Sequence, residues 1–162
     1  MSHAFDSAVR QVIAREGGDK LTNDPADRGG LTKYGISRHS YPDLDIQGLT
    51  ELQAVGIYKR DFWDVLKLDD VNDSHIAAAI FDTAVNMGIG TAARLAQSLA
   101  GVPVDGHIGP ITIAGINRSE PMIFLPLFVI ARIERYSDIC TRHPGQKKYL
   151  HGWIKRALDM LG

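Results

Sequence analysis

The stretch that decides how this chain is read is EGGDKLTNDPADRGGLTKYGIS, residues 16–37. Before it, Phe5, Ala8, Val9, Val12 and Ile13 recur at helical spacing, so a helix with one apolar face leads into it. Glu16 falls three residues after Ile13 and four after Val12 and continues that stripe. Gly17 and Gly18 predict the helix end, because glycine takes the left-handed conformation that closes a last turn. A carboxyl there meets the negative end of the helix dipole and faces inward, and both effects favour its neutral form. A carboxyl held protonated is what a general acid requires. Taken alone, a glutamate before a glycine pair is more commonly just a solvated helix end.

The loop that follows packs Asn23, Asp24, Asp27, Thr32 and Tyr34 between Pro25, Gly29, Gly30 and Gly35. Short polar groups among glycines suit a backbone that comes close to a ligand, and they also suit an ordinary surface turn.

The whole pattern resembles a known signature. EGG, NDPADRGG (23–30), Thr32 and YGIS (34–37) are similar to the motif of the glycoside hydrolase family 108 N-acetylmuramidases, lysozyme-like enzymes of phages and bacteria. The likeness continues through YKRDFWD (58–64), FDTAVNMG (81–88), DGHIGPIT (105–112) and HGWIKR (151–156), in order along nearly the whole chain. The chain departs from the family pattern at Asp19, often an aromatic, at Lys33, commonly Asn, and by two extra residues before NDP. The resemblance implies that Glu16 is the catalytic acid. The order Glu16, Asp27, Thr32, Gly35-Ile36 is also similar to that of small phage lysozymes. It makes Asp27 the expected base, with Thr32 helping to hold water, and Asp24 the alternative for that role.

Length and charge bound the rest. The 162 residues suit one domain, and the near balance of charge, −1 formally, disfavours a nucleic-acid partner. The single cysteine, Cys140, excludes an internal disulfide and reads as a buried apolar filler. None of the six histidines stands at paired ligand spacing, so neither a metal nor another cofactor is expected. The N-terminus carries no signal-peptide pattern. The longest apolar run, 121–131, is too short to span a bilayer and contains Pro126, so no stable membrane insertion is expected. The expected location is the cytoplasm until release to the wall, or delivery by a phage particle or secretion device.

Further along, Thr50 and Gln53 read as a capping box, with Leu52, Val55, Tyr58 and Phe62 on the inner face of the helix they open. Trp63 is a candidate sugar platform, with core packing an equal alternative. A helix from about Ser74 is apolar almost all round and carries Asp82 and Asn86 four apart, on one face. Buried polar groups need partners, so the two either tie down a neighbour or face a cleft. Thr91 can cap a helix with Ala92, Leu95, Ala96 and Leu99 inward, ended by Gly101. The stretch LAQSLAGVPVDGHIGPIT (95–112) resembles peptidoglycan-binding modules, and Pro110 opens a helix at its first position. A long helix over about 119–140 is bent at Pro126. A last helix places Tyr149, Leu150, Trp153, Ile154, Ala157, Leu158 and Leu161 on one stripe.

The expected molecule is mainly α, a lysozyme-like helical domain of about seven helices with at most a short β-hairpin in 20–37. Residues 1–90 form the muramidase half and 91–162 a peptidoglycan-binding-like half, packed as one compact, monomeric unit. Its expected reaction is hydrolysis of the bond between N-acetylmuramic acid and N-acetylglucosamine, with glycan strands as partner and Asp24, Tyr34, Trp63 and Asn86 as substrate contacts. The rival readings are a lytic transglycosylase using Glu16 alone and a non-catalytic wall-binding or phage-tail protein.

Overall fold

The computed structural model describes residues 3–23 and 30–162, and the chain divides into two compact units, 1–65 and 66–162. The fold is mainly α and lysozyme-like, with seven α-helices among the described residues.

The first unit opens with α1 (His3–Arg15), whose buried residues are Phe5, Ala8, Val9, Val12 and Ile13, the five that set the apolar period. A small antiparallel sheet follows, with β1 (Thr22–Asn23), β2 (Leu31–Lys33) and β3 (Ile36–Ser37) in sequential order. The third, two-residue strand extends the expected hairpin. Thr32 pairs with Ser37 and Lys33 with Ile36, which leaves Tyr34 and Gly35 as a two-residue turn.

Next, α2 (Glu51–Tyr58) is opened by a complete capping box, Thr50 accepting from the Gln53 amide and Gln53 from the Thr50 amide. Its inner face differs from the expected one. Ala54, Ile57 and Tyr58 are buried, whereas Leu52 is 74% exposed and Phe62 only half-buried. The reason is a π-turn over Lys59–Trp63, closed by the Asp64 amide on the Lys59 carbonyl (2.9 Å). The wider turn inserts one residue into the helical period and swings Trp63 inward in place of Phe62.

The second unit begins with a short 3₁₀ turn, Leu68–Asp70, then α3 (Ser74–Met87), capped by Asp73 through the His75 and Ile76 amides. The unbroken run of buried residues from Ala79 to Ala84 shows why its sequence lacks a polar face. It packs against α4 (Ile89–Leu99) and α6 (Pro121–Arg142). Thr91 does not cap α4. The helix starts two residues earlier, from Gly88 with φ 89°, so Thr91 lies within its first turn. Leu95 and Leu99 are half-buried, and Gln97 takes an inward place beside Ala93 and Ala96. α5 (Pro110–Arg118) carries Pro110 in its first turn, and α6 continues through Pro126. α7 (Leu150–Leu158) packs on α6, where Val129, Tyr136 and Ala157 form a core with Leu150 and Trp153 partly buried against it. Tyr149, Leu158 and Leu161 lie outside that stripe, each close to half exposed. No single helix among the described residues is long and apolar enough to cross a membrane.

Candidate active site

The site is built from the end of α1 upward. The Gly18 amide donates to the Ile13 carbonyl (2.9 Å) and the Gly17 amide to the Ala14 carbonyl (3.4 Å). With φ of 97° at Gly17 and 61° at Gly18, this is a Schellman closure in which Arg15 ends the helix and Glu16 is its C-cap. Glu16 is half-buried, so the apolar stripe ends at Ile13 and the carboxylate stands at its margin.

The turn between β2 and β3 closes on that margin. Tyr34 and Gly35 have φ of 53° and 75°, the positive pair that a type I′ hairpin turn requires. The Tyr34 amide donates to the Gly18 carbonyl (3.0 Å), which joins the turn to the helix end. The buried Tyr58 hydroxyl donates to the Tyr34 carbonyl (2.9 Å) from α2. Gly35 therefore lies directly on Glu16: a β-carbon there would be 2.8 Å from Glu16 Cβ, 2.9 Å from Cγ and 2.5 Å from the Tyr58 hydroxyl. Three elements converge on one glutamate, and only glycine fits between them.

The other predicted residues fall in different settings. Thr32, half-buried on β2, donates its hydroxyl to the Gly30 carbonyl (3.1 Å). Tyr34 shares the turn with Gly35, but its side chain is 9% exposed, and Lys33 Nζ lies 5.4 Å from its ring centroid. Asp24 and Asp27 lie outside the described residues. Trp63 is fully buried and meets Phe5 edge-on at 5.2 Å, so it belongs to the core and offers no ring face to a sugar.

Asp82 and Asn86, on one face of α3 as their spacing requires, part company in their surroundings. Asp82 is buried and accepts from Arg132 Nη1 (2.7 Å) and from Arg156 Nε and Nη2 (3.0 and 2.9 Å). Burial alone would raise its pKa, but the hydrogen bonds and charge of Arg156, joined by Arg132, hold it below the ordinary carboxylate value. Arg132 Nε also donates to the Tyr136 hydroxyl (2.9 Å), which donates to Asn86 Oδ1 (2.6 Å). Burial pushes the Tyr136 phenol up despite Arg132, so this hydroxyl stays protonated.

Two groupings escaped the sequence reading. The Tyr41 hydroxyl donates to Asp61 (2.8 Å), which also pairs with Arg60. Burial, then the hydrogen bond to Asp61, pushes Tyr41 up to about 12, while Arg60 and then Tyr41 hold Asp61 low against burial. Tyr41 and Arg60 help line a cleft of about 640 Å³, of which neither Glu16 nor Gly35 is a lining residue. In the second unit, buried Gln97 donates to Asp105 (2.7 Å), the His107 carbonyl (3.0 Å) and Thr112 (3.2 Å), and accepts from the Gly106 amide (2.8 Å). One side chain thus fixes the DGHIGPIT loop. The missed signal was a glutamine on the same helical face as Ala93 and Ala96. Among the described residues, no three His, Cys, Asp or Glu side chains are grouped to hold a metal ion.

With that geometry, the comparisons with known proteins are informative. A family model described as Glycosyl hydrolase 108 matches residues 9–88, and one described as Predicted Peptidoglycan domain matches residues 91–158. Their boundary follows α3, whereas the compact units divide at 65/66, before it. No curated protein matches the chain. Among solved structures, "Structure of Brucella abortus SagA" is similar at 25% identity and a TM-score of 0.75, covering 96% of this chain and 94% of that one. The end of α1, the turn that packs on Glu16 and the α3 face that carries Asp82 all lie within the first matched segment, and Gln97 and its loop within the second. Residues 9–88 match the glycosyl hydrolase 108 family and residues 91–158 a predicted peptidoglycan domain, and together they mark the chain as a peptidoglycan hydrolase.

Proposed function

We propose that this hydrolase is an N-acetylmuramidase, cleaving the β-1,4 bond between N-acetylmuramic acid and N-acetylglucosamine with Glu16 as general acid. The observation that carries the reading is the seat of Glu16. Its Cβ and Cγ are packed under Gly35, so the side chain is positioned by the turn before substrate arrives. Glu16 protonates the glycosidic oxygen as the bond to the anomeric carbon breaks. Asp27 takes the proton of an attacking water from across the sugar, with Asp24 the alternative base. Thr32 spends its own proton on Gly30, so it meets that water as an acceptor. A base working through water stands roughly 6.5–9.5 Å from the acid.

The test is Glu16→Gln together with product analysis of digested sacculi. The variant should lose all but a few per cent of turnover and keep its fold. Mass spectrometry should find N-acetylmuramic acid at the reducing ends. A digest dominated by 1,6-anhydro sugars would make the protein a transglycosylase. Substantial activity in the variant would remove Glu16 from the role.

A further inference from the structure

We propose that a pocket in the second unit, between α3, α4, α6 and α7, seats the carboxylate end of a peptidoglycan peptide stem. The proposal rests on peptidoglycan as the substrate and adds which part of it the second unit grips. The pocket measures about 270 Å³, with Tyr136 and Trp153 among its lining and Asn86, Thr91 and Arg135 as its polar groups.

The hydrogen-bond chain beneath it decides what it can hold. Arg132 Nε is a donor only, so the Tyr136 oxygen accepts from it (2.9 Å). The single phenolic proton then goes to Asn86, which must present its amide oxygen to Tyr136 (2.6 Å). The Asn86 NH₂ is thereby left as the group available to a ligand. Arg135 is likewise a pure donor, half-buried at the pocket, and no ion pair or hydrogen bond holds its side chain among the described residues. Two donors, one of them charged, suit an acceptor with negative charge, and a planar guanidinium matches a carboxylate.

The remaining wall is apolar, from Met87, Ile139 and Trp153. Trp153 stacks on Tyr136 at 5.1 Å and has Tyr149 tilted at 5.9 Å. A ring engaged in this way suits a methyl group better than the open face of a sugar. A sugar hydroxyl also seeks acceptors as well as donors, and Asn86 Oδ1 is already spent on Tyr136. A carboxylate beside a small methyl, as at a terminal alanine of a stem, meets both requirements.

The experiment is a calorimetric titration of the full chain with three probes. They are a synthetic L-Ala-γ-D-Glu-L-Lys-D-Ala stem with a free terminal carboxylate, its C-terminal amide, and an N-acetylglucosamine tetramer. The acid should bind about tenfold more tightly than the amide, the usual scale for losing one charge-assisted hydrogen bond. Arg135→Gln, with its thermal midpoint checked, should bring the acid down to the level of the amide. Equal binding of acid and amide, competition between the sugar tetramer and the acid, or no binding of the acid would each overturn the proposal. Sugar release from sacculi by the wild-type chain is scored separately. Release without stem binding would sink the pocket alone, and stem binding without release would sink the hydrolase reading alone.

Discussion

Gly35 touches Glu16 so closely that the smallest side chain at position 35 would lie 2.8 Å from the glutamate β-carbon. The contact joins the end of α1 to the β2–β3 turn, and the Tyr58 hydroxyl locks the turn from behind. Such crowding limits rotation of the Glu16 side chain and suits the role proposed for it, because a side chain with room to rotate is seldom in a productive geometry.

Gly35→Ala should therefore damage both stability and turnover. Its φ of 75° costs a β-carbon about 1–3 kcal/mol, and the clash displaces Glu16 or Tyr58. A displacement of about 1 Å at a reacting group can cost on the order of 10²-fold in rate. Gly101→Ala is the control: its φ is 65°, but a β-carbon there meets open space, so it carries the strain alone. Melting and wall-lysis assays on both variants separate the contact from the strain, and equal losses of activity would show that the contact with Glu16 is irrelevant.

The base is tested by a pair of amides. In the sequence Asp27 lies between Pro25 and the Gly29-Gly30 pair, whereas Asp24 directly precedes Pro25, and a residue before proline is disfavoured from helical backbone and common in turns. Asp27→Asn should lower turnover by about 10²–10⁴-fold with little change in melting. Asp24→Asn should instead cost about 1 kcal/mol of stability. The reverse pattern would make Asp24 the base, and two fully active variants would leave Glu16 working without either.

Asp82 carries a pH signature. Its folded-state pKa is lowered from 3.8, so its contribution to stability is fully present above the unfolded value and lost as pH falls through the folded one. Asp82→Asn takes this carboxylate away from buried Arg132 and half-buried Arg156 and should cost about 3–5 kcal/mol near neutral pH. The gap between wild-type and variant melting curves should narrow on acidification below about pH 4. A gap independent of pH would mean that the carboxylate charge contributes nothing.

Gln97→Ala should loosen the 105–112 loop. It strips a partner from the buried Gly106 amide, which costs about 1–3 kcal/mol if left unsatisfied, and from the His107 carbonyl and Asp105 on exposed residues that water can reach. Asp105 is held low first by the Gln97 hydrogen bond and then by the His107 amide, so its titration, followed by NMR, should move up in the variant. An unmoved Asp105 would show that the His107 amide suffices.

The sequence by itself determined what depends on neighbours within about five residues. The apolar period of α1, the glycine closure after Glu16, the Thr50–Gln53 box and Pro110 in the first turn of α5 are all local, since their hydrogen bonds and steric limits are satisfied inside one turn of chain. The need of Asp82 and Asn86 for partners was equally legible, because a helix apolar on every side has nowhere to solvate a carboxylate. Which partners answer it was decided only by tertiary structure. Arg132 and Arg156 stand 50 and 74 residues away, and nothing in the local pattern distinguishes them from solvated arginines. The same holds for the seat of Glu16, where a turn nearly twenty residues on and a tyrosine from α2 meet a helix end, and for Trp63, which one inserted residue of π-turn carried from a possible surface into the core. Periodicity reports which face of an element is apolar. It does not report which distant element arrives to cover that face, and burial, partner choice and the room left around a reactive group all follow from that arrival.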